Sequence, residues 1–221
     1  APKVNDQYFT PVETAKWCYD AVAEETGWDF VGTALEPAVG GYAFVEAADQ
    51  LGLELEWTTN DLFPQPGRQP DLNLDFGEGC PGYFDYIITN PPFGHANSLA
   101  RKFMRLALES ADKVMMVLPK GARRIGFQDA MPLYAWRVFD SNLPNQMFEI
   151  PGHEPREVQA CVQAWENTTH IKPVERPKIK DYLDLRQEII SWWDGRDRPE
   201  ERDAQVTRWG RMGTVVKPEK E

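Results

Sequence analysis

The tetrapeptide Asn90-Pro91-Pro92-Phe93 combines residue types that could do chemistry, and it sits where a strand should end. The residues before it, Ile87-Ile88-Thr89, form an apolar run. A buried strand ordinarily passes into a helix through polar or Gly-rich turn residues. Two consecutive prolines instead remove two N–H donors and fix the path of the backbone. The Asn90 side chain and the neighbouring carbonyls are then held rigidly, acceptors outward, beside the flat ring of Phe93. Acceptors next to an aromatic face suit a planar heterocycle held by its amino group. The competing reading is a stiff loop that happens to contain Asn and Phe. With proline at about one residue in twenty, this string arises by chance in roughly one chain of this length in a thousand, which favours a site.

A second segment with chemical potential is Leu35-Glu36-Pro37-Ala38-Val39-Gly40-Gly41-Tyr42-Ala43-Phe44, a strand end, a carboxylate and a tight glycine turn into a helix. Small residues let a ligand lie against the backbone, and a helix N-terminus offers free N–H groups. Glu36 would repel a phosphate and suits a cationic or hydroxyl-bearing group. Asp61 follows Gly40 by 21 residues, roughly the spacing at which an acid on the second strand takes ribose hydroxyls. Together these features exclude a P-loop and point to a nucleoside ligand without phosphates.

The elements that must position these residues alternate. Helical spacing covers Pro11 to Glu25, opened by Thr10 or Pro11. Strands are expected at Phe30 to Leu35, Leu53 to Thr59, Tyr83 to Thr89 and Val114 to Leu118, with a late one at Val158 to Trp165. Helices are expected at Tyr42 to Leu51 and Ser98 to Ala111. Such alternation predicts an α/β fold, Rossmann-like, with a mainly parallel central sheet and helices on both faces. Ligands of such sheets bind beyond the carboxyl ends of the strands. Glu36, Asp61, Asp75 and Asn90 are therefore expected on one rim. Arg137 to Glu157, with Pro144, Pro151 and Pro155, reads as an irregular loop near it.

Composition narrows the class. The chain has 221 residues with 42% hydrophobic, enough for one generous core with an appendage. No run approaches the roughly 18 to 20 apolar residues of a membrane span, and the first residues carry no basic-then-apolar signal. Cys18, Cys80 and Cys161 share no metal-ligand spacing, and His95, His153 and His170 do not cluster with them; no metal is expected. A cytoplasmic, reducing setting is the default. The net charge of −11 argues superficially against a nucleic-acid partner. Its distribution differs: residues 1–100 hold three basic and sixteen acidic side chains, whereas residues 101–221 hold 21 and 19. Arg101 to Arg124 is locally basic and directly follows the proline motif, although solvated helix faces commonly look the same.

These motifs together resemble the class I S-adenosylmethionine-dependent methyltransferases, specifically the adenine-N6 DNA methyltransferases. Asn90 to Phe93 matches that family's Asn/Asp-Pro-Pro-Phe/Tyr catalytic motif. Glu36 to Phe44 matches its Glu-Pro-x-x-Gly-x-Gly-x-Phe cofactor loop with one departure, Tyr42 at the second glycine. Tyr8-Phe9-Thr10-Pro11 matches its Tyr-x-Thr-Pro segment, and Asp75-Phe76 its Asp-Phe pair. The motif order is similar to that of the gamma group, and the resemblance covers roughly residues 5 to 168.

The resemblance implies S-adenosylmethionine as cofactor. Glu36 and the Ala38–Gly40 backbone would hold the cationic methionine portion, and Tyr8 and Thr10 would line it, with Thr10 on the carboxylate. Asp61 would accept from the ribose, Asp75 from the adenine amino group, and Phe76 would form a wall. Thr10 has a competing role as a helix cap, and Asp71 lies in the same loop as Asp75. An adenine amino nitrogen is a poor nucleophile because its lone pair is delocalised. Asn90 Oδ1 and the Pro91 carbonyl would each accept one of its N–H bonds and free that lone pair. Phe93 would stack on a base flipped out of the helix. No cysteine lies in the motif, which argues against a cytosine-C5 mechanism. RNA adenine, a protein glutamine, or an idle cofactor- or nucleic-acid-binding subunit remain alternatives.

Beyond Leu118, Lys120, Arg123 and Arg124 are expected to touch phosphates flanking the base. Residues 1–170 form the expected catalytic domain and 171–221 an extension, comprising a proline- and charge-rich linker, an amphipathic helix at Ile179 to Trp193, and a terminal strand at Trp209 to Val216. A large target-recognition domain does not fit in that remainder. Recognition then falls to loops 121–155 and the tail, or to a partner protein.

Overall fold

In the computed structural model, residues 8–168 are described together with the backbone of two short strands, Gln205–Val206 and Val215–Val216. The chain divides into two compact units, Ala1–Lys172 and Pro173–Glu221. In the second, Gln205–Val206 pairs antiparallel with Val215–Val216. The expected linker and the Ile179 to Trp193 helix lie outside the described residues.

The first unit is built on a six-stranded sheet. Its strands in chain order are β1 (Gly32–Glu36), β2 (Leu55–Thr59), β3 (Phe84–Thr89), β4 (Ala111–Pro119), β5 (Ala135–Asn142) and β8 (Ala160–Asn167). Two further strands, β6 (Met147–Ile150) and β7 (His153–Glu157), form a separate antiparallel hairpin. Order across the sheet is β2-β1-β3-β4-β8-β5. The first four strands run parallel, and β8 runs antiparallel to both β4 and β5. The carboxyl ends of β1, β2, β3 and β4 therefore share one rim, bearing Glu36, Asn60, Asn90 and Lys120.

Alternate residues along each strand enter opposite cores, as the two-residue period of a strand requires. Ala34, Tyr86, Ile88, Met115 and Val117 face one side, with Tyr19 and Phe44. Leu35, Ile87, Val114, Met116 and Leu118 face the other, with Met104 and Leu108. Helices α1 (Val12–Thr26) and α2 (Ala43–Leu51) cover the first face and α3 (Ser98–Ser110) the second. Burial on both faces is why the central strands read as unbroken apolar runs. Helix α1 buries Ala15, Cys18, Tyr19 and Val22 at helical spacing and ends at Gly27, whose φ of 73° allows its N–H to cap Ala23 O. Among the described residues no helix is long and apolar enough to cross a membrane.

The stretch from Arg137 to Glu157 corrects the expectation of an irregular loop, for it contains most of β5 and all of β6 and β7. The prolines misled because they stand at tolerated places. Pro144 lies between β5 and β6, Pro151 in the hairpin turn, and Pro155 on fully exposed β7, where no further strand pairs among the described residues. No strand ends at Asp75 either; it precedes a 3-10 turn, Phe76–Glu78. Phe30 adopts φ 52° and belongs to the turn before β1, not to the strand.

Candidate active site

At the end of β1 the chain makes a turn whose backbone is held from β2. Asn60 N–H donates to Glu36 O at 2.9 Å, Val39 N–H donates to Asn60 O at 2.9 Å, and Asn60 Nδ2 donates to Pro37 O at 2.9 Å. Asp61 adds a bond from Gly40 N–H to its Oδ2 at 2.8 Å, while Phe63 N–H donates to Oδ1 at 2.8 Å. Asp61 thus braces the glycine turn, and each carboxylate oxygen keeps a further lone pair. Asn60 is a site-building residue that sequence reasoning missed, since nothing local distinguishes its buried amide from any other Asn after a strand.

Two turn residues have left-handed backbones. Gly40 has φ 45°, and the ring of Phe9 lies where a side chain would be, 2.9 Å from an ideal Cβ. Tyr42 has φ 66° and ψ 19°, so a bulky side chain occupies a conformation that favours glycine. Arg68 braces it. Its guanidinium lies 5.1 Å from the Tyr42 ring centroid and donates to Gly41 O at 2.9 Å and Glu46 Oε1 at 2.8 Å. Gly40→Ala is expected to destabilise the fold by about 1–3 kcal/mol, because it combines an unfavourable φ with a ring that must shift. A thermal unfolding comparison with the wild type checks this.

Glu36 is 2% exposed. Burial pushes its carboxyl up to about 8, with nearby Asp61 adding to the rise. The Ala38 N–H, 3.2 Å from Oε1, opposes the shift. Thr89 lies close enough to oppose it too, although its hydroxyl makes no hydrogen bond of ordinary geometry. Above Glu36 crosses the segment Tyr8-Phe9-Thr10. Thr10 is 6% exposed, and its buried hydroxyl has no hydrogen-bond partner among the described residues. It does not cap α1, which has Pro11 at its N-cap and no side-chain cap bond. Tyr8, Thr10, Glu36, Ala38, Gly40 and Asn90 line one cleft of about 260 Å³, counting its open part.

Asn90 follows β3 directly. Its Nδ2 donates to Tyr8 O at 2.8 Å, across 82 residues of chain. That bond sets the amide orientation, because the reverse would bring two oxygens together. No described residue donates to Asn90 Oδ1 or to Pro91 O. Pro91 is buried and Pro92 exposed. Phe93 is half-buried against the α3-side core.

Other expected residues stand apart from this cleft. Asp75 is exposed, and its Oδ1 accepts from Gly77 N–H at 2.8 Å. Phe76 is 2% exposed and packs on Phe103 at 4.9 Å between centroids. Asp71 accepts from Thr59 N–H and Oγ1, both at 2.8 Å, and these bonds hold its carboxyl below the usual range. Lys120 Nζ donates to Gln159 Oε1 at 2.6 Å. Arg123 pairs with Asp140 at 2.5 Å and bonds Asn142 Oδ1. Arg124 is exposed, and its guanidinium has no polar partner among the described residues.

No protein-family model and no curated protein matches the chain. Solved structures share its fold. An assigned RNA methyltransferase from Pyrococcus horikoshii has a TM-score of 0.56 at 16% identity, over 76% of this chain and 91% of that one. A Listeria monocytogenes protein assigned as a class I S-adenosylmethionine-dependent methyltransferase has 0.56 at 12%, over 88% and 74%. The methyltransferase subunit of a type I restriction-modification system from Streptococcus thermophilus has 0.52 at 12%, over 87% of this chain but 53% of that subunit. The fold is thus the Rossmann-like fold of class I methyltransferases.

Proposed function

We propose that the chain transfers a methyl group from S-adenosylmethionine to the exocyclic N6 amino group of adenine in DNA, by direct in-line displacement on a flipped base. The observation that supports this most is the placement of Asn90. Its amide donates to Tyr8 O and leaves Oδ1 for an incoming amino group, in the same cleft as Glu36, Thr10 and the glycine turn.

The cleft fits the proposed cofactor in three respects. Glu36 is a buried carboxyl lining the cleft, and in its ionised form it suits a cationic ligand. The Thr10 hydroxyl is buried without a partner among the described residues and can donate to a carboxylate. The backbone from Ala38 to Gly40 borders the same cleft. Bound S-adenosylmethionine supplies an electrophilic methyl group on a positively charged sulfur. Tyr8 and the Ala38–Gly40 backbone, which line the cleft, would hold its methionine portion. Asp61 has lone pairs left that would take ribose hydroxyls, and Asp75, exposed beyond the cleft, would accept from the cofactor's adenine amino group next to buried Phe76.

For the target base, Asn90 Oδ1 and Pro91 O accept the two N–H bonds of the amino group, drawing the nitrogen toward tetrahedral geometry and freeing its lone pair. Pro91 and Pro92 keep those acceptors in place, and preorganised acceptors strengthen as charge develops on the nitrogen. Phe93 offers a ring for stacking, and no metal is required. Arg124 is available for a phosphate, whereas Lys120 and Arg123 must exchange protein partners to reach one. Sequence recognition falls either to loops 121–155 and the tail or to a partner protein.

The test is transfer of labelled methyl from S-adenosylmethionine to unmethylated duplex DNA, structured RNA and a protein extract in parallel, followed by nucleoside and amino-acid analysis. The expected outcome is label as N6-methyladenine in DNA. Label only in RNA adenine or in glutamine reassigns the acceptor, and no cofactor binding at all rejects the enzyme reading.

A further inference from the structure

Phe9 is absent from the roles the motifs assign, yet it is the best-anchored residue of the segment above the cleft. Both of its main-chain groups bond to Glu149 on β6, Phe9 N–H to Glu149 O at 2.8 Å and Glu149 N–H to Phe9 O at 2.9 Å. Its ring rests on Gly40 and Gly41, 2.9 Å and 3.4 Å from the Cβ positions those residues lack. The residue before it, Tyr8, provides the carbonyl that accepts from Asn90 Nδ2. The residue after it, Thr10, provides the unpartnered hydroxyl in the cleft. Three consecutive residues therefore touch the β6–β7 hairpin, the glycine turn and the catalytic amide.

Resting on the methyltransferase reading above, we propose that Phe9 and the β6–β7 hairpin are a positioning device for Asn90, which keeps the acceptor end of its amide toward the target amino group. An amide has a donor end and an acceptor end, and rotation about its last side-chain torsion exchanges them at little steric cost. Among the described residues, only the bond to Tyr8 O distinguishes the two states. If that carbonyl is displaced, the Asn90 NH2 group turns toward the substrate nitrogen and offers a donor where an acceptor is needed. The carbonyl stays in place because Phe9 is clamped from below by its ring on the glycine turn and from the side by the β6 backbone. Phe9 thus acts through Asn90, without touching the reacting atoms.

The test uses the full chain and four variants, the fourth being the rescue Phe9→Leu. Glu149→Pro deletes the N–H that bonds Phe9 O, Glu149→Ala keeps it, and Phe9→Ala removes the ring while leaving the backbone pairing. At saturating cofactor and DNA, the single-turnover rate of Glu149→Ala is expected within twofold of wild type. Phe9→Ala is expected to lose at least tenfold in rate, and Glu149→Pro at least as much, with cofactor Kd changed less than fivefold. Phe9→Leu restores most of the loss by refilling the space over Gly40. The side-chain amide signal of Asn90 in an NMR spectrum, assigned by its loss in Asn90→Ala, is expected to shift in Phe9→Ala and to stay in Glu149→Ala. A Phe9→Ala protein that changes only cofactor affinity, with its rate and its Asn90 amide signal as in wild type, overturns the positioning role. Should the wild type transfer no methyl group, the function reading fails, while the amide signal still decides whether Phe9 holds Asn90.

Discussion

Asn90→Ala is expected to lower methyl transfer by about 10²–10³-fold or more at saturating cofactor, the range typical for loss of one preorganised polar contact to a transition state. The change removes the acceptor Oδ1 and leaves Pro91 O alone to polarise the target nitrogen. It also removes the donor to Tyr8 O, so the segment above the cleft loses one of its ties. The fold itself loses little, since Asn90 is only half-buried and lies at a loop entrance. Cofactor affinity is therefore expected to change by less than about tenfold, with the deficit in turnover. Single-turnover kinetics beside equilibrium cofactor binding separates the two. Asn90→Asp is expected to fall between wild type and alanine. It keeps an acceptor but sets a carboxylate against the Tyr8 carbonyl where an N–H stood. Full activity in Asn90→Ala would remove the basis for the proposed mechanism.

How much of this site could be read beforehand depends on whether each residue is specified locally. The Asn90–Phe93 motif and the Glu36–Tyr42 turn were legible because prolines and glycines dictate backbone locally. The strands before them were legible because burial on both faces leaves unbroken apolar runs such as Tyr86 to Ile88. The boundaries moved by one to three residues, as at β1, where Phe30 has a positive φ that no pattern announces. The β6–β7 hairpin was illegible for the opposite reason. All five residues of β7 are exposed, so no alternation of apolar and polar side chains marks it, and prolines speak against a strand. Asn60 and Phe9 were missed because their work is long-range. Asn60 bonds residues on the Pro37 and Leu74 loops, and Phe9 pairs with Glu149 far along the chain. Tyr42 shows the limit of motif reading from the other side. The residue departs from the expected glycine, yet the backbone keeps a glycine-like conformation, and Arg68 from a distant loop supports it.

Glu36 yields the second large expectation, because the same burial affects stability and ligand affinity in opposite directions. Its carboxyl titrates near 8 in the folded chain against an ordinary value of 4.5. Between those values the folded state holds a proton that the unfolded state has released. Stability is therefore expected to fall as pH rises from about 4.5 toward 8, by up to about 1.4 kcal/mol per pH unit from this group, and to level off above 8. Glu36→Gln removes that slope, since a neutral amide replaces the group that burial disfavours in its charged form. The variant is thus expected to melt several degrees higher than wild type at pH 8 while gaining little at pH 5. Cofactor binding should run the other way. A cationic ligand prefers the ionised carboxylate, so affinity is expected to rise with pH up to about 8 and binding near pH 7 to release a proton. Calorimetry in buffers of different ionisation enthalpy reads that proton directly. In Glu36→Gln the proton release disappears, and the affinity falls by about a hundredfold, the loss of a charge-assisted contact of about 3 kcal/mol. A variant that is more stable at high pH yet binds S-adenosylmethionine as well as wild type would place the cationic group elsewhere in the cleft. One that is neither more stable nor weaker in binding would mean that Glu36 is solvated and charged throughout.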